Sequence, residues 1–341
     1  RCPLYVPSQP KTLTRMLHLF SFAFTSMFVL FRLLFWKPDV IVCVTPTFFC
    51  TPVAKLYSIL TRAKFWLHIQ DFEVDAMFGL GMMKKGFLAK IAYWLEQKAL
   101  KGAHKVSTSS KVMQKISVDK GVNEEDSVFF PNWVDTDFIS PKASDEYYRQ
   151  EWKYSDKKVV LYSGNIGKKQ GLEIVIDSAK DLEDREDVVF VIVGDGANKE
   201  YLKSLSEKSG LKNIDFYPLQ PYEKLPELLR LADIHLMIQS RGIADLVLPS
   251  KLTGMLSIGG NIVVTADPDT EMGQFMQEHP QIGCLIEPEN SKELTIAIKK
   301  MLESDLVEQS YNKASRDYAE SFLSAESILR TFESDLEMLV K

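Results

Sequence analysis

Short, mostly apolar segments alternate with helix-length segments along almost the whole sequence. Such segments are apolar on both faces, which is typical of parallel strands buried between layers of helices. The alternation therefore predicts an α/β protein with doubly wound parallel sheets. The predicted strands are Val40–Val44, Phe65–Ile69, Lys105–Thr108, Val128–Phe130, Val159–Tyr162, Val188–Val193, Ile214–Tyr217, Ile234–Ile238, Asn261–Val264 and Gly283–Ile286.

A polar stretch, Pro131–Asp156, separates the first four predicted strands from the last six and is interpreted as a domain linker. The chain has 341 residues, enough for two domains. Doubly wound sheets bind ligands at the carboxyl ends of their strands, so two such domains facing each other would form a cleft. We expect a first domain at 1–140, a second at 156–320, and a C-terminal helix at 321–341 that packs back on the first domain.

The opening residues, RCPLYVP, resemble the interior of a domain more than a translation start. The first domain also has only four predicted strands, against six in the second. We therefore expect the first domain to be incomplete at its N-terminus.

Composition excludes several classes of protein. The net charge is -5, whereas a nucleic-acid-binding protein usually presents a basic face. The four cysteines have no CxxC spacing and are predicted to be reduced thiols of a cytosolic protein. The sequence shows no cluster of histidines and carboxylates with metal-ligand spacing, so we expect no metal site. It also shows no secretory signal.

The segment Leu13–Trp36 is apolar and rich in aromatic residues. Arg15, His18 and Arg32 interrupt it, and its charge-free part is shorter than the ~20 residues that a membrane-spanning helix needs. Two interpretations remain open. The segment is either a helix buried against the sheet or a helix that dips an apolar face into a membrane surface.

A glycine-rich turn, SGNIGKKQG, follows the predicted strand Val159–Tyr162 and precedes a helix that starts near Leu172. Glycines let backbone N–H groups approach a phosphate, and the helix N-terminus adds a positive partial charge. Lys168 and Lys169 would add full charges. An ordinary tight turn is the alternative interpretation.

Two further segments strengthen the prediction of a phosphate site. Gly194 and Gly196 form a second glycine turn at the end of the next strand. Pro249 suits the first position of a helix, which places the N–H groups of Ser250 and Lys251 in the exposed first turn. A lysine there opposes the helix dipole, which suggests an anionic partner. A solvated lysine is the alternative.

In the first domain, the predicted strand Phe65–Ile69 is followed by several titratable residues. His68, Asp71 and Glu73 lie near its carboxyl end, where a ligand of the sheet would bind. Asp71 and Glu73 are candidates for acid–base or acceptor-orienting roles. Equally, Asp71 is a candidate helix cap, and His68 a hydrogen-bonded structural histidine.

With these segments in place, the chain resembles the retaining GT-B glycosyltransferases of family 4. Within that family it is most similar to the bacterial colanic acid and exopolysaccharide biosynthesis glycosyltransferases. The resemblance covers essentially the whole chain. It rests on the strings RCPLYVP, HIQDFEVDAMFGLG, FPNWVDTDFISP, LYSGNIGKKQGLE, PLQPYEKLPELLRLADIHL and ADLVLPSKLTG.

Some positions depart from the family pattern. The family commonly has a basic pair where this chain has Asn165 and Gln170, and two glutamates near the positions of Leu246 and Gly254. The usual ribose-binding carboxylate is therefore not carried over, and Asp245 is expected to contact the nucleotide instead. Lys168, Lys169 and Lys251 are expected to compensate for the missing positive charge.

The resemblance implies transfer of a sugar, with retention, from a nucleoside diphosphate sugar to a lipid-linked glycan precursor. It implies a bacterial enzyme in the cytoplasm, peripheral on the inner face of the plasma membrane, with no metal cofactor. Catalytic roles are expected for His68, Asp71 and Glu73. Donor binding is expected for Gly164, Asn165, Gly167, Lys168, Lys169, Gln170, Gly194, Gly196, Leu219, Asp245, Ser250 and Lys251.

Two other functions remain open at this point. Fold alone does not establish function, and sugar-nucleotide epimerases with the GT-B fold cleave the same kind of bond. A chain that lacks its first βα unit is also compatible with an inactive module that binds a nucleotide sugar.

Overall fold

The computed structural model describes residues 2–6, 12–45, 48–72, 74, 86–241 and 249–341. The chain divides into two compact units. Unit 1 contains Arg1–Pro131 and Leu329–Lys341, and unit 2 contains Asn132–Ile328. Each unit has a parallel sheet of its own.

Unit 1 has a four-stranded sheet in the order β1-β2-β3-β4. Parallel neighbours cannot be joined by a tight turn, so each connection crosses a face of the sheet, usually as a helix. The elements are α1 (Thr12–Arg32), β1 (Val40–Thr45), α2 (Thr51–Thr61), β2 (Lys64–Ile69), α3 (Phe87–Lys101), β3 (Lys105–Thr108), α4 (Lys111–Asp119) and β4 (Ser127–Phe129).

Unit 2 has a six-stranded parallel sheet in the order β10-β9-β8-β5-β6-β7. Its elements are α5 (Glu146–Glu151), β5 (Lys158–Ser163), α6 (Glu173–Asp181), β6 (Val188–Val193), α7 (Lys199–Lys208), β7 (Ile214–Tyr217), α8 (Leu225–Leu231), β8 (Ile234–Met237), α9 (Ser250–Ser257), β9 (Ile262–Thr265), α10 (Glu271–Glu278), β10 (Gly283–Ile286), α11 (Ser291–Leu302), α12 (Asp305–Glu308) and α13 (Lys313–Tyr318). The last helix, α14 (Ala325–Val340), begins in unit 2, but most of its residues belong to unit 1.

The order of strands in unit 2 contains one reversal. The chain proceeds outward from β5 to β7, then returns to place β8 on the other side of β5. The connections that follow β5 and β8 therefore leave on opposite faces of the sheet, and a crevice forms between them at the carboxyl ends. Doubly wound sheets bind their ligands at this position.

The prediction of two parallel α/β sheets is confirmed, and all ten predicted strands are present, with end positions that differ by one residue at most. The stretch 131–156, predicted to be a linker, packs almost entirely within unit 2. The guanidinium of Arg316 donates to the carbonyl oxygens of Thr136 and Ile139, at 3.0 Å each, and Tyr148 is buried.

The last helix, α14, carries the chain from unit 2 back to unit 1. Its Phe332 packs edge-on against Trp66 of β2, with ring centroids 5.0 Å apart, and stacks on Phe130 at 4.7 Å. The C-terminal residues thus pack in the hydrophobic core of unit 1, although they lie about 200 residues after its last strand in the sequence.

Helix α1 covers most of the aromatic-rich segment 13–36. Among the helices that the structure describes, none is long and apolar enough to cross a membrane. Ala23 of α1 is buried, whereas Phe20, Phe24 and Phe28 are about half exposed. The helix therefore buries only part of its apolar surface within unit 1.

His235 of β8 is a polar residue in the hydrophobic core of unit 2. Its side chain is fully buried between β5 and β9, and neither ring nitrogen has a hydrogen-bond partner among the described residues. Burial, together with the positive charge of Arg230, lowers the pKa of His235 to about 3. Because its unfolded-state pKa is near 6.5, the folded protein binds fewer protons than the unfolded chain between these values.

We therefore predict that the contribution of His235 to stability is constant above pH 7, and that the free energy of unfolding falls as the pH drops through 6 towards 4. The limiting slope from one such histidine is about 1.4 kcal/mol per pH unit. The substitution His235→Leu is expected to reduce the slope, with His68 providing a residual decline of the same sign because burial lowers its pKa to about 4. Urea unfolding between pH 7.5 and 5 measures both slopes, and equal slopes in the two proteins would contradict this account.

Candidate functional site

Two loops of unit 2 meet at the reversal in strand order. The first loop, residues 164–171, follows β5, and the second loop, residues 194–198, follows β6. Backbone hydrogen bonds join them: Gly164 N–H donates to Val193 O and Ile166 N–H donates to Asp195 O, both at 2.9 Å. The ladder between β5 and β6 thus continues beyond the ends of the strands.

Glycine is required in the second loop because the two backbones approach so closely. A Cβ atom on Gly194 would lie 1.8 Å from the carbonyl oxygen of Gly164, and one on Gly196 would lie 2.2 Å from that of Ile166. Both glycines also have positive φ angles, +149° and +159°. This packing accounts for Gly194 and Gly196 within unit 2 itself, and their contact with a donor stays a prediction.

Lys199 of α7 holds the second loop in place. Its ammonium group donates to Gly194 O at 2.6 Å, Asp195 Oδ1 at 3.0 Å and Tyr217 O at 3.1 Å. The hydrogen bond from Lys199 is the main cause that lowers the pKa of the Asp195 carboxyl group. Sequence reasoning missed Lys199, although its position four residues after Asp195 is a signal for such a pair.

The first loop closes on itself through Gln170. Its side-chain oxygen accepts a hydrogen bond from Gly167 N–H at 3.1 Å, and the carbonyl of Lys169 accepts one from Ser240 N–H at 3.1 Å. Gln170 therefore shapes the turn, whereas Lys168 and Lys169 are exposed at its surface. Asn165 is exposed as well.

Helix α9 brings the third predicted segment to the first loop. Pro249 is the N-cap of α9, which corrects its predicted place at the first helical position; Ser250 and Lys251 are the first two helical residues. The Lys251 ammonium lies 3.7 Å from where a Cβ of Gly164 would be. The structure thus brings together Lys251 and the first loop, as the sequence suggested.

Tyr162 of β5 positions the lysine. Lys251 Nζ donates to the Tyr162 hydroxyl at 3.3 Å and lies 4.5 Å from the ring centroid, within the range of a cation–π contact. The same hydroxyl donates to Asn165 O at 2.7 Å. Burial raises the pKa of Tyr162, so the hydroxyl is neutral at pH 7. Sequence reasoning missed this residue too, and its only signal was a hydroxyl group in an apolar strand.

Leu219 and Asp245 are the other two predicted donor residues. Leu219 lies after β7 with 68% of its surface exposed. Asp245 lies outside the described residues. At the end of β8, Arg241 contacts Asp267 at 3.3 Å and Glu287 at 3.7 Å. A further basic group, not predicted from the sequence, is thereby held at the carboxyl edge of the sheet.

In unit 1, His68 is buried and hydrogen-bonded on both sides. Its Nδ1 lies 2.8 Å from Ser107 Oγ, which also accepts from the Trp66 indole, and its Nε2 lies 2.6 Å from the amide of Gln70. Burial lowers the pKa of His68 to about 4, so the ring is neutral at pH 7. This environment favours the structural interpretation of His68 that the sequence left open.

Asp71 follows the same strand end and is exposed, whereas Glu73 lies outside the described residues. Asp71 lines a small recess together with Thr45, Ile69 and Phe72. The structure thus places one of the three predicted catalytic residues at the surface of the carboxyl edge of unit 1. Within the part of the chain that is described, no group of three or more histidine, cysteine or carboxylate side chains is arranged to hold a metal ion.

Comparison with known proteins is consistent with this arrangement. Residues 144–319 match the family model for glycosyl transferases group 1, and residues 1–133 match that for a glycosyl transferase 4-like domain. The chain is 45% identical to the putative colanic acid biosynthesis glycosyl transferase WcaI of Escherichia coli K12, over 98% of this chain and 83% of that protein.

The chain is a group 1 glycosyltransferase. Among solved structures, Anabaena HepE in complex with UDP superposes with a TM-score of 0.72, at 18% identity over 97% of this chain and 84% of the other. Sucrose-phosphate synthase from Thermosynechococcus elongatus superposes with a TM-score of 0.75, at 14% identity over 99% and 82%. These likenesses confirm that the glycosyltransferase has the GT-B fold predicted from its sequence.

We predict that Gly194→Ala destabilises unit 2 of the glycosyltransferase by about 3 kcal/mol or more. The added methyl group would overlap a carbonyl oxygen that cannot move without breaking the loop ladder. Gly210→Ala is the matched control, because Gly210 has φ +70° but nothing within 4 Å of its Cβ position. This control is expected to lose only about 1 kcal/mol, from backbone strain alone. Equal losses in urea unfolding would show that crowding at Gly194 is relieved cheaply.

Proposed function

We propose that this glycosyltransferase moves a sugar from a nucleoside diphosphate sugar to a lipid-linked glycan precursor of an exopolysaccharide, with retention of configuration. The place of action is the inner face of a bacterial plasma membrane. The 45% sequence identity with a protein named for colanic acid biosynthesis supports a role in making an exopolysaccharide. The structural similarity to a protein crystallised with UDP supports a nucleoside diphosphate sugar as the donor. The position of Lys251, hydrogen-bonded to Tyr162 and beside Gly164 of the first loop, is the observation that carries the proposal.

The donor diphosphate lies over the first loop in this proposal. Lys251 supplies a charge at Gly164, and the N–H groups of Ser250 and Lys251 point out of the first turn of α9. Lys168 and Lys169 add charge at the far end of the loop. Because these groups are held in place before the reaction, they stabilise the negative charge that develops on the leaving diphosphate.

The same arrangement offers a replacement for the basic pair that the family commonly has at the positions of Asn165 and Gln170. Gln170 uses its side chain to close the turn, and Asn165 presents its carbonyl to Tyr162. Tyr162 in turn contacts Lys251, which enters from a helix 89 residues further along the chain. We propose that Lys251 takes over the charge that the family places within the loop, and that the leaving group is neutralised without a metal ion.

Replacing Lys251 by Ala is expected to weaken nucleoside diphosphate binding by about 1–3 kcal/mol, the usual size of a charge-assisted contact. Tyr162→Phe keeps the ring and removes the hydroxyl, so it should cost about 0.5–1.5 kcal/mol. If Tyr162 acts by positioning Lys251, the double variant should bind only slightly more weakly than Lys251→Ala. Calorimetric titration with UDP, GDP and dTDP measures these affinities and identifies the preferred base.

The matched control is Lys300→Ala, which removes an exposed lysine in the last turn of α11. It should leave affinity unchanged. A Lys251→Ala variant that binds like the unmodified protein would show that the diphosphate binds elsewhere. If the losses of binding free energy in the two single variants add fully in the double variant, Tyr162 does not act by positioning Lys251. The titration repeated in EDTA should give the same affinity; strict dependence on added magnesium or manganese would contradict the metal-free proposal.

For unit 1 we propose that Asp71 and Glu73 orient or deprotonate the acceptor, and that His68 acts through its neighbours as a positioning residue. Asp71→Asn is expected to lower the transfer rate about tenfold or more, because it removes a charge at the edge where an acceptor binds. Donor affinity should not change, since the proposed donor groups all belong to unit 2. Asp119→Asn, at an exposed carboxylate of α4, is the control. A transfer rate unaffected by Asp71→Asn would remove Asp71 from the mechanism.

A further inference from the structure

Lys199 of α7 joins three segments of unit 2 at the carboxyl edge of its sheet. Its ammonium group donates to Gly194 O at 2.6 Å, to Asp195 Oδ1 at 3.0 Å and to Tyr217 O at 3.1 Å. An ammonium group has three N–H donors, so these contacts use all of them. The side chain is only 12% exposed. Lys199 therefore binds groups of the protein itself and has no N–H group left for a ligand.

The acceptor of this lysine on β7 is held in place by other contacts. The ring of Tyr217 stacks on Trp152, with centroids 3.7 Å apart and planes inclined by 9°, and its hydroxyl lies 3.0 Å from that of Tyr154. The Tyr154 hydroxyl in turn donates to the carboxylate of Asp215 at 2.5 Å. Aromatic stacking and a connected set of hydrogen bonds restrict the position of this strand end. The end of β7 is thus a firm support, and Lys199 ties the second loop to it.

The second loop in turn determines where the first loop lies. Three backbone hydrogen bonds connect the two loops: Gly164 N–H to Val193 O and Ile166 N–H to Asp195 O, both at 2.9 Å, and Asn198 N–H to Ile166 O at 3.0 Å. Peptide groups are rigid planes, so a shift of one loop either breaks these bonds or moves the other loop with it. A displacement of the second loop is therefore transmitted to the segment that is proposed to hold the donor diphosphate.

The contacts of Lys199 with carbonyl oxygens matter more than its ion pair with Asp195. Gly194 is buried, and a buried carbonyl oxygen is costly to leave without a hydrogen-bond donor. If the ammonium group were removed, the loop could lower this cost only by moving until water reached the oxygen. The side chain of Asp195 is 68% exposed, so water can replace the lysine there. We therefore expect the two carbonyl contacts to be the ones that hold the loop.

We propose that Lys199 is a positioning residue for donor binding, which acts through the second loop on the first loop and does not touch the donor. This inference rests on the proposed function, because it assumes that the first loop holds the diphosphate. The lysines of the site then have two different tasks. Lys168, Lys169 and Lys251 supply charge to the donor, whereas Lys199 fixes the backbone that the donor meets. Because that backbone is in place before the donor arrives, less conformational freedom is lost on binding.

Calorimetric titration with UDP, GDP and dTDP tests the proposal. Lys199→Met keeps the apolar stem of the side chain but removes all three donors, so it should weaken binding of the preferred nucleotide about tenfold. Lys199→Arg keeps a cation with several donors and should bind more tightly than Lys199→Met. Asp195→Asn should stay within about threefold of the unmodified protein, because Lys199 keeps both carbonyl contacts. Lys199→Gln, which keeps two N–H donors, should show an intermediate loss and replaces Lys199→Met if that variant does not fold.

Amide hydrogen exchange, measured without nucleotide, reports on the loops directly. In Lys199→Met the amides of Gly164, Ile166 and Gly194 should exchange faster, whereas those in the middle of β6 should stay protected. A general loss of stability would instead speed exchange in the strand as well.

The matched control is Lys158→Met, at the start of β5. Lys158 also donates to a carboxylate and a carbonyl, Asp233 Oδ1 at 3.2 Å and Val307 O at 3.4 Å, but it lies at the amino edge of the same sheet. Because this edge is opposite the loops, the control should leave nucleotide affinity and loop exchange unchanged.

The outcomes separate this inference from the proposed function on which it rests. If Lys251→Ala weakens nucleotide binding and Lys199→Met does not, the inference is wrong and the proposed function stands. If neither variant weakens binding, the proposed function fails and the inference fails with it. Equal losses of affinity in Lys158→Met and Lys199→Met would show an effect of general stability, which also overturns the inference. Weaker binding by Lys199→Met without faster exchange in the loops would indicate a direct contact with the donor and would overturn the positioning role.

Discussion

The contact between two backbone segments at Gly164 and Gly194 determines the geometry of the candidate site in unit 2. Parallel strands β5 and β6 bring their carboxyl ends to the same edge, and the hydrogen-bond ladder continues past the strands into both loops. The loops can approach this closely only because Gly194 and Gly196 have no side chains. With the loops fixed, Lys199 and Tyr162 have defined oxygen atoms to contact, and Lys251 has a defined place beside Gly164.

Local charge matters more at this edge than net charge. Unit 2 is strongly acidic overall, yet Lys168, Lys169 and Lys251 gather where the strand order reverses. A short-range contact with a phosphate depends on charges within a few ångströms, whereas distant carboxylates are screened by solvent. The carboxyl edge of the sheet in unit 1 differs, because His68 there is buried and its ring is neutral. The two units thus have the same kind of sheet but strand ends of different chemistry.

Much of the fold was predictable because parallel sheets leave a local record in the sequence. Strands buried on both faces must be apolar throughout, and β3, β6, β7 and β10 were predicted with the bounds that the structure has. Errors arose where the record is weak. Polar residues in 131–156 suggested a linker, although Ile139 and Tyr148 are buried in unit 2. Pro249 is the N-cap of α9 and not its first helical residue, because proline fixes φ at a value that is compatible with both positions.

The sequence by itself determined the α/β class, the two sheets, the family, and the segments that supply glycines and lysines near a phosphate. Each of these is recorded within about ten neighbouring residues, as periodicity or as turn chemistry. The tertiary structure alone decided which groups touch. Tyr162 contacts Lys251 across 89 residues, and Tyr57 holds a turn that lies 21 to 24 residues earlier. Such pairs depend on the packing of whole helices against a sheet, and no local pattern encodes the distance between two side chains on different elements.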